Sequence, residues 1–245
     1  MGGGLRRRLC ISLCGRAANF VARSAVVVPR EQLDYTTDMP SVLGLLGAGA
    51  QADEIESFAR PGVVRFRAVD PEFVGRSRGV ISVLTHSPEF LTCAVVAAVG
   101  APGLKRSLVA KWAGSVFRTV VAESAWVDRT AELRDGAVVG PLAAVSVRTL
   151  IGKHALVNIS ASVSHDTTIG DYATVSPGVH IAGHCVVGDG VFLGIGSSVL
   201  QGVRIVAGST VGAGAVVVRN IDEPGVYVGV PARRIRATRE WLDVL

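Results

Sequence analysis

An uninterrupted six-residue repeat fills the second half of the chain and constrains its fold more than any other feature. Stepping by six from Val127 to Val217, all sixteen positions are valine, isoleucine or leucine. The position four residues after each of them is mostly a small residue. Each unit therefore supplies one short strand and one turn, with both restricted positions pointing inward. Three units make one triangular coil, and stacked coils pair through their backbones, which predicts a parallel β-helix.

A histidine–aspartate pair lies inside this repeat, in VSHDTTIGDYATVSPGVHIA at residues 163–182. His165 comes two residues after the inward position Val163, so the phase of the repeat predicts that its side chain points out of the prism. An outward imidazole is free to act as a general base on a bound ligand. The alternative is a surface histidine without a chemical role.

The region in front of the repeat has the pattern of a small parallel α/β unit. Strands are predicted at about 41–46, 63–69, 80–84, 94–99 and 117–121. The first ends in Gly47-Ala-Gly49-Ala50-Gln51-Ala52 and leads into a helix over 51–60, which is the G-x-G-x-x-A pattern of a nucleotide-binding turn. The alternative is a tight strand–helix connection without a ligand.

The size of this region argues against a complete dinucleotide fold, because about 80 residues hold only one of its two halves. Half of that fold can hold a mononucleotide or a nucleotide-sugar. Asp70, after the second strand, is placed to contact a ribose or base. Lys105 and Arg106 open a further predicted helix, against its dipole, so either they meet an anionic ligand or they are solvated.

Charge and cysteine content exclude several classes of protein. The net charge of +5 is concentrated in residues 1–40, so the remainder has no basic patch of the kind that binds nucleic acid. Four irregularly spaced cysteines do not form a disulfide framework, and a reducing cytoplasm is the expected compartment. No run of 18 apolar residues predicts a membrane span. LCISLC after Arg6–Arg8 leaves a secretory signal as the alternative to an N-terminal extension.

Four segments together resemble one family of hexapeptide-repeat acyltransferases. They are GLLGAGAQADEI, AVVAAVGAPGLKR, VSHDTTIGDYATVSPGVHIAG and GAGAVVVRNIDEPGVYVGVPARRIR. They look like the sialic acid O-acetyltransferases and the related N-acetyltransferases that act on nucleotide-linked 4-amino sugars. The resemblance covers about residues 41–236 and is most specific over 157–236. It implies that the β-helix is left-handed.

The resemblance also implies a mechanism, a donor and an assembly. His165 matches the catalytic histidine, and Asp166 matches the acid that raises its basicity. Acetyl-CoA would bind between the prisms of a homotrimer, at positions matching Thr174, Ile195 and Ala213. The acceptor would lie against the front domain, at positions matching Gly49, Ala50, Gln51 and Asp70. No metal is expected.

Two departures from the family pattern concern the acceptor. Ala50-Gln51 stands where the family usually has Gly-His, and Ala101-Pro102 stands where it often has an acidic or Asn pair. These departures concern which acceptor binds rather than the chemistry of transfer. The half-Rossmann front favours, as the predicted reaction, acetylation of the amine of a nucleotide-linked amino sugar. Acetylation of a sialic acid or other sugar hydroxyl, and a non-catalytic trimer that binds nucleotide-sugars, stay open as alternatives. A γ-type carbonic anhydrase is disfavoured, because His180 and His184 lack a third ligand at that family's spacing.

The predicted organisation has four parts. Residues 1–40 form an N-terminal extension that is expected to be poorly ordered, and residues 41–122 form the half-Rossmann α/β front domain with a parallel sheet. Residues 123–221 form the left-handed parallel β-helix. Residues 222–245 form a C-terminal loop and short helix.

Overall fold

A computed structural model describes residues 42–59, 62–74, 80–84 and 88–243. The predicted N-terminal extension, residues 1–40, lies outside the described residues. Within them, a small parallel sheet precedes a long stack of two-residue strands. This order confirms the predicted fold class.

The front sheet has four parallel strands in the order β3-β2-β1-β4. They are β1 (Leu43–Leu46), β2 (Val64–Val69), β3 (Val80–Ser82) and β4 (Ala94–Ala97), with helices α1 (Ala50–Phe58) and α2 (Pro102–Lys111) and 3-10 turns at Pro71–Phe73 and Pro88–Thr92. Strand β1 is buried along its length because both faces of the sheet are covered. Leu45 packs in a cluster with Ile55 of α1, whereas Leu46 packs in a cluster with Leu108 of α2.

The fifth predicted strand, 117–121, is divided between two sheets. Phe117 forms an isolated parallel bridge with Val95 of the front sheet. Val120 and Val121 instead pair with Val138 and Val139 and so belong to the β-helix. The β-helix pairing thus begins one six-residue unit before Val127, since Val121 is itself in phase with the repeat.

The β-helix consists of two-residue strands that pair in parallel with the strand 18 residues further on. In chain order, they are β5 (Val120–Val121), β6 (Trp126–Val127), β7 (Glu132–Leu133), β8 (Val138–Val139), β9 (Ala144–Val145), β10 (Leu150–Ile151), β11 (Leu156–Val157), β12 (Ser162–Val163), β13 (Thr168–Ile169), β14 (Thr174–Val175), β15 (His180–Ile181), β16 (Val186–Val187), β17 (Phe192–Leu193), β18 (Ser198–Val199), β19 (Arg204–Ile205), β20 (Thr210–Val211) and β21 (Val216–Val217). Their second residues and the small residues four positions later form one buried core. The predicted inward positions are confirmed.

The strands form three faces of a prism. Face 1 contains β5, β8, β11, β14, β17 and β20; face 2 contains β6, β9, β12, β15, β18 and β21; face 3 contains β7, β10, β13, β16 and β19. Two turn residues make each corner, and the second of them has a positive φ along most of the stack. We name the corners by the faces they join: the 1–2, 2–3 and 3–1 corners.

The front domain docks on face 1, and Lys105 of α2 is buried in the contact. Its side chain is completely buried, and its Nζ donates to the carbonyl oxygens of Tyr172 and Ala173, both at 3.3 Å, and to Thr174 Oγ1 at 3.0 Å. Both sequence interpretations of Lys105, an anion ligand and a solvated residue, are therefore wrong. Burial lowers the pKa of this amine to about 7.

The tail continues face 1 and then reverses. Strand β22 (Gly225–Val228) pairs in parallel with β20, and β23 (Arg233–Ala237) pairs antiparallel with β22. Residues 222–243 contain no helix among the described positions, so the predicted short helix is wrong there. Strand β20 offers unpaired backbone groups at the end of face 1, and pairing satisfies them better than a separate helix would.

Trp241 fastens the end of the tail to the 3–1 corner. Its indole lies against the backbone of Gly190 and Gly208, its ring centroid is 6.0 Å from that of Tyr172, and the Arg106 guanidinium lies 4.0 Å above it. The backbone N–H of Gly103, in α2, also donates to Leu242 O at 2.8 Å. The tail therefore connects the prism to the front domain.

We expect Trp241→Ala to lower the free energy of unfolding by about 2 kcal/mol, through lost apolar burial and a lost cation–π contact. Denaturant titration measures the change. Ile235→Ala, at an exposed position of the same tail, is the matched control and should have little effect. Equal midpoints for both variants would contradict the anchoring role of Trp241.

Candidate functional site

A column of polar side chains runs along the 2–3 corner, one per coil. Thr130, Arg148, Asp166 and His184 are spaced by 18 residues and occupy the second turn position. Arg148, Asp166 and His184 have φ values of 52°, 56° and 60°, a conformation that glycine adopts at least cost. Backbone hydrogen bonds hold the turns in register, with Asp166 N donating to Val147 O and His184 N to His165 O. The repeat thus stacks these side chains directly above one another.

His165 and Asp166 form the dyad that the sequence predicted, at an outward position. The imidazole is 46% exposed, and its Nδ1 lies 2.8 Å from Asp166 Oδ2. A carboxylate can only accept, so Nδ1 carries the proton in this contact. The other nitrogen, Nε2, is then the atom of the neutral ring that can receive a proton.

Arg148 holds the other side of the same carboxylate. Its Nε donates to Asp166 Oδ1 at 2.7 Å and its Nη2 to Oδ2 at 2.9 Å. These bonds, together with that from His165, keep the pKa of Asp166 well below its usual range. Asp166 is therefore an anion at any physiological pH and orients the imidazole without itself taking up a proton.

Gly183, one coil beyond His165, leaves the space that the imidazole occupies. A Cβ at this position would lie 2.5 Å from His165 Cε1 and 2.7 Å from Nε2, closer than side-chain atoms pack. The ring therefore lies directly over the backbone of Gly183. Any side chain there would have to push it aside.

We expect Gly183→Ala to reduce kcat by about 10- to 100-fold, because it displaces the imidazole rather than removing it. Steady-state kinetics should show little change in either KM. Gln201→Ala, at the same turn position one coil further, is the control. An unchanged kcat in a folded Gly183→Ala protein would show that the position of the ring does not matter.

Two residues of this site were missed by the sequence analysis. Arg148 was not singled out, and His184 was considered only as a metal ligand, yet its ring meets that of His165 edge-on at 5.1 Å. His184 Nε2 lies 3.9 Å from Asp166 Oδ2. The signal that could have found both is their spacing of 18 residues from Asp166 in either direction.

The predicted cofactor positions lie elsewhere on the prism. Ile195 and Ala213 are exposed and stack one coil apart on the 1–2 corner, where Gly214 N donates to Ile195 O at 2.8 Å. Thr174 is only 2% exposed, beneath the front domain, and its Oγ1 donates to Gly100 O at 2.6 Å while accepting from Lys105. Its predicted contact with the cofactor is not available in this arrangement, because the docked front domain covers it.

The predicted acceptor positions lie at the carboxyl ends of β1 and β2. Gly49 and Ala50 are exposed at the start of α1, and Gly47, with φ 131°, makes the turn before them. A Cβ on Gly47 would lie 2.7 Å from Ala98 O, so the turn requires glycine here. Asp70 Oδ1 forms an ion pair with Lys111 Nζ at 2.6 Å. This pairing orients the Asp70 carboxylate toward α2.

Gln51 connects the start of α1 to the prism. Its Oε1 accepts from Asn158 Nδ2 at 3.2 Å, and Asn158 directly precedes the 1–2 corner. Gln51, Ile195 and Ala213 therefore lie along one corner, whereas His165 lies on the next one. Face 2 separates the two sets within one chain.

Comparison with known proteins shows which solved structures this chain resembles. No protein-family model and no curated protein sequence matches this chain. Among solved structures, a mutant of perosamine N-acetyltransferase from Caulobacter crescentus, in complex with CoA and GDP-perosamine, is 26% identical, with a TM-score of 0.69 and coverage of 79% of this chain and 96% of that one. The acetyltransferase domain of PglB from Neisseria gonorrhoeae is 25% identical, with a TM-score of 0.70 over 80% and 100%. WeeI from Acinetobacter baumannii is 25% identical, with a TM-score of 0.68 over 79% and 99%.

These likenesses confirm the resemblance inferred from the sequence. The stack is a left-handed parallel β-helix, and over 79–80% of its length the chain is similar to acetyltransferases, one of them solved with CoA and GDP-perosamine. In the described part of the chain, no helix is both long and apolar enough to cross a membrane.

Proposed function

We propose that the chain transfers an acetyl group from acetyl-CoA to the amine of a nucleotide-linked amino sugar. The observation that carries the proposal is the His165–Asp166 dyad, outward-facing and with Nε2 left to accept a proton. The half-Rossmann sheet with its glycine turn supports a nucleotide-linked acceptor. Solved relatives bound to CoA and GDP-perosamine support both ligands.

In the proposed reaction, the nitrogen of the acceptor amine attacks the thioester carbonyl while His165 Nε2 takes a proton from that amine. The new C–N bond forms, the tetrahedral intermediate collapses, and the C–S bond breaks. The imidazolium then returns its proton to the departing CoA thiolate, so the enzyme ends unchanged. Asp166 stabilises the imidazolium between these steps, and Arg148 holds Asp166 in place.

The separation of the two corners supports an active site that is shared between chains. His165 cannot meet the ligand positions at Ile195 and Ala213 of its own chain, since face 2 lies between them. A homotrimer in which the 2–3 corner of one prism faces the 1–2 corner of the next would complete the site. We therefore propose that each active site is shared between two protomers.

This proposal predicts complementation in mixed trimers. His165→Ala and Ala213→Trp chains, each inactive alone, should regain activity when co-expressed, because some interfaces then carry two intact halves. Product formation by the separately tagged and co-purified trimer measures the gain. If both halves of the site belonged to one chain, mixing would restore nothing.

The acceptor is tested by a panel assay with acetyl-CoA. Nucleotide-linked 4-amino sugars, the same nucleotides without the amine, and free sialic acid are compared by chromatography of the acetylated product. We expect turnover only with the amines. Acetylation of free sialic acid instead would assign the hydroxyl reaction, which the uncharged Gln51 at the acceptor side would also accommodate.

A further inference from the structure

Three side chains at the 2–3 corner could together bind a metal ion, although the proposed reaction requires no metal. His165, Asp166 and His184 each offer one ligand atom, and these atoms lie within 4.8 Å of one another. Around a tetrahedral zinc ion, neighbouring ligand atoms are about 3.4 Å apart. The separations from Asp166 Oδ2, 2.8 Å to His165 Nδ1 and 3.9 Å to His184 Nε2, fall on either side of that value.

Small side-chain rotations would therefore bring the three atoms to one ion. The two imidazoles are 46% and 56% exposed, so neither is fixed by packing on all sides. Two imidazoles and a carboxylate suit zinc, and solvent can supply the fourth ligand. The backbone bond from His184 N to His165 O, at 3.0 Å, keeps the two histidines on adjacent coils.

The geometry points to an inhibitory site here for one zinc-class divalent cation, held by His165, Asp166 and His184. It is a regulatory ion and not a cofactor of the transfer reaction. Binding of the ion depends on the cluster alone, whereas its inhibitory effect rests on the proposed function.

Inhibition follows from the tautomer of the imidazole. A cation on Nδ1 of His165 replaces the proton that Asp166 now accepts. The one remaining proton of the neutral ring must then be on Nε2, where it prevents that atom from acting as a base. The ion thus turns the proposed base into a proton donor. The residues proposed to bind the acceptor do not have to move.

Arg148 opposes the cation, because both would share the carboxylate of Asp166. The guanidinium contacts both carboxylate oxygens but is 63% exposed and can swing into solvent. Removing its charge should therefore strengthen metal binding while leaving the three ligands in place. This opposite effect distinguishes a true site from general loss of structure.

The test titrates the purified full-length protein with zinc alone, by calorimetry, and with cobalt(II), by visible absorption. We expect one ion per chain, a dissociation constant on the order of micromolar, and a tetrahedral cobalt spectrum. His184→Asn should weaken binding at least about tenfold, and Arg148→Gln should tighten it severalfold. His180→Asn removes an exposed imidazole outside the cluster and should change nothing.

Wild-type affinity weaker than about 1 mM, an octahedral cobalt spectrum, or full affinity in His184→Asn would overturn the site. The cobalt spectrum of the wild-type protein tests it without any variant. Inhibition is then measured with each protein's rate expressed relative to its own rate in chelator. Product is detected by chromatography, since the released thiol binds zinc. If no acceptor is acetylated, the proposed function fails while the metal titration still decides the site.

Discussion

Replacing His165 with alanine is expected to lower turnover by about 10²- to 10⁴-fold, the usual contribution of a general base. The side chain is half exposed at a turn, so its removal leaves the buried core of the prism intact. Thermal unfolding and CoA affinity should therefore stay close to those of the wild type. Chromatography of the acetylated product at saturating acetyl-CoA measures the loss.

His180→Ala provides the matched control for this loss. His180 is also an exposed imidazole of the prism, with its Nδ1 2.8 Å from Ser162 Oγ, but it belongs to face 2 and not to the 2–3 corner. It should keep wild-type turnover. Near wild-type turnover in His165→Ala would instead remove the dyad from the mechanism.

Lys105→Met is expected to change how stability depends on pH. The pKa of Lys105 is lowered to about 7 in the folded protein from 10.5 in the unfolded chain, so between these values the unfolded state binds the extra proton. Stability of the wild type therefore gains up to about 1.4 kcal/mol per pH unit from this residue as the pH rises through that range. Below pH 7 the amine is charged in both states, and the cost of burying it is fully present.

The variant lacks this contribution, so its stability relative to the wild type should fall steadily from pH 7 to 10. At every pH it also leaves the carbonyl oxygen of Tyr172 without the Lys105 donor. Denaturant titrations at several pH values give the difference. Lys111→Met, on the same helix but in an exposed ion pair with Asp70, is the control and should follow the wild-type slope. Parallel curves for Lys105→Met and the wild type would mean that Lys105 is charged when buried.

The repeat made the orientation of His165 predictable, because a phase without insertions fixes which side chains point inward. The same phase could not reveal which outward side chains are covered. Thr174 and Ser198 both precede an inward valine, yet Thr174 is buried by the docked front domain and Ser198 is half-buried. That difference is decided by a contact between α2 and face 1, and no periodicity encodes it.

Lys105 shows the same limit from the other side of the contact. Local sequence places it in the first turn of a helix, where a basic residue looks solvated or ligand-bound. Its real partners are residues 172–174, distant in sequence. Arg148 was missed for a different reason. Nothing in the composition around a corner marks a non-glycine residue with positive φ, and the only sequence signal for Arg148 is its spacing of 18 residues from Asp166.

Because equivalent positions of successive coils pair in parallel, the prism is built from coils that are structurally equivalent. Each coil adds 18 residues and advances the corners by one strand spacing, about 4.8 Å. Deleting one whole coil would shorten the prism while leaving every remaining side chain on its own face and corner. A deletion of one residue would instead change the inward or outward orientation of every later position in the repeat. The length available to a bound ligand along a corner is therefore set in discrete increments, and it can be altered without rebuilding the His165–Asp166 pair.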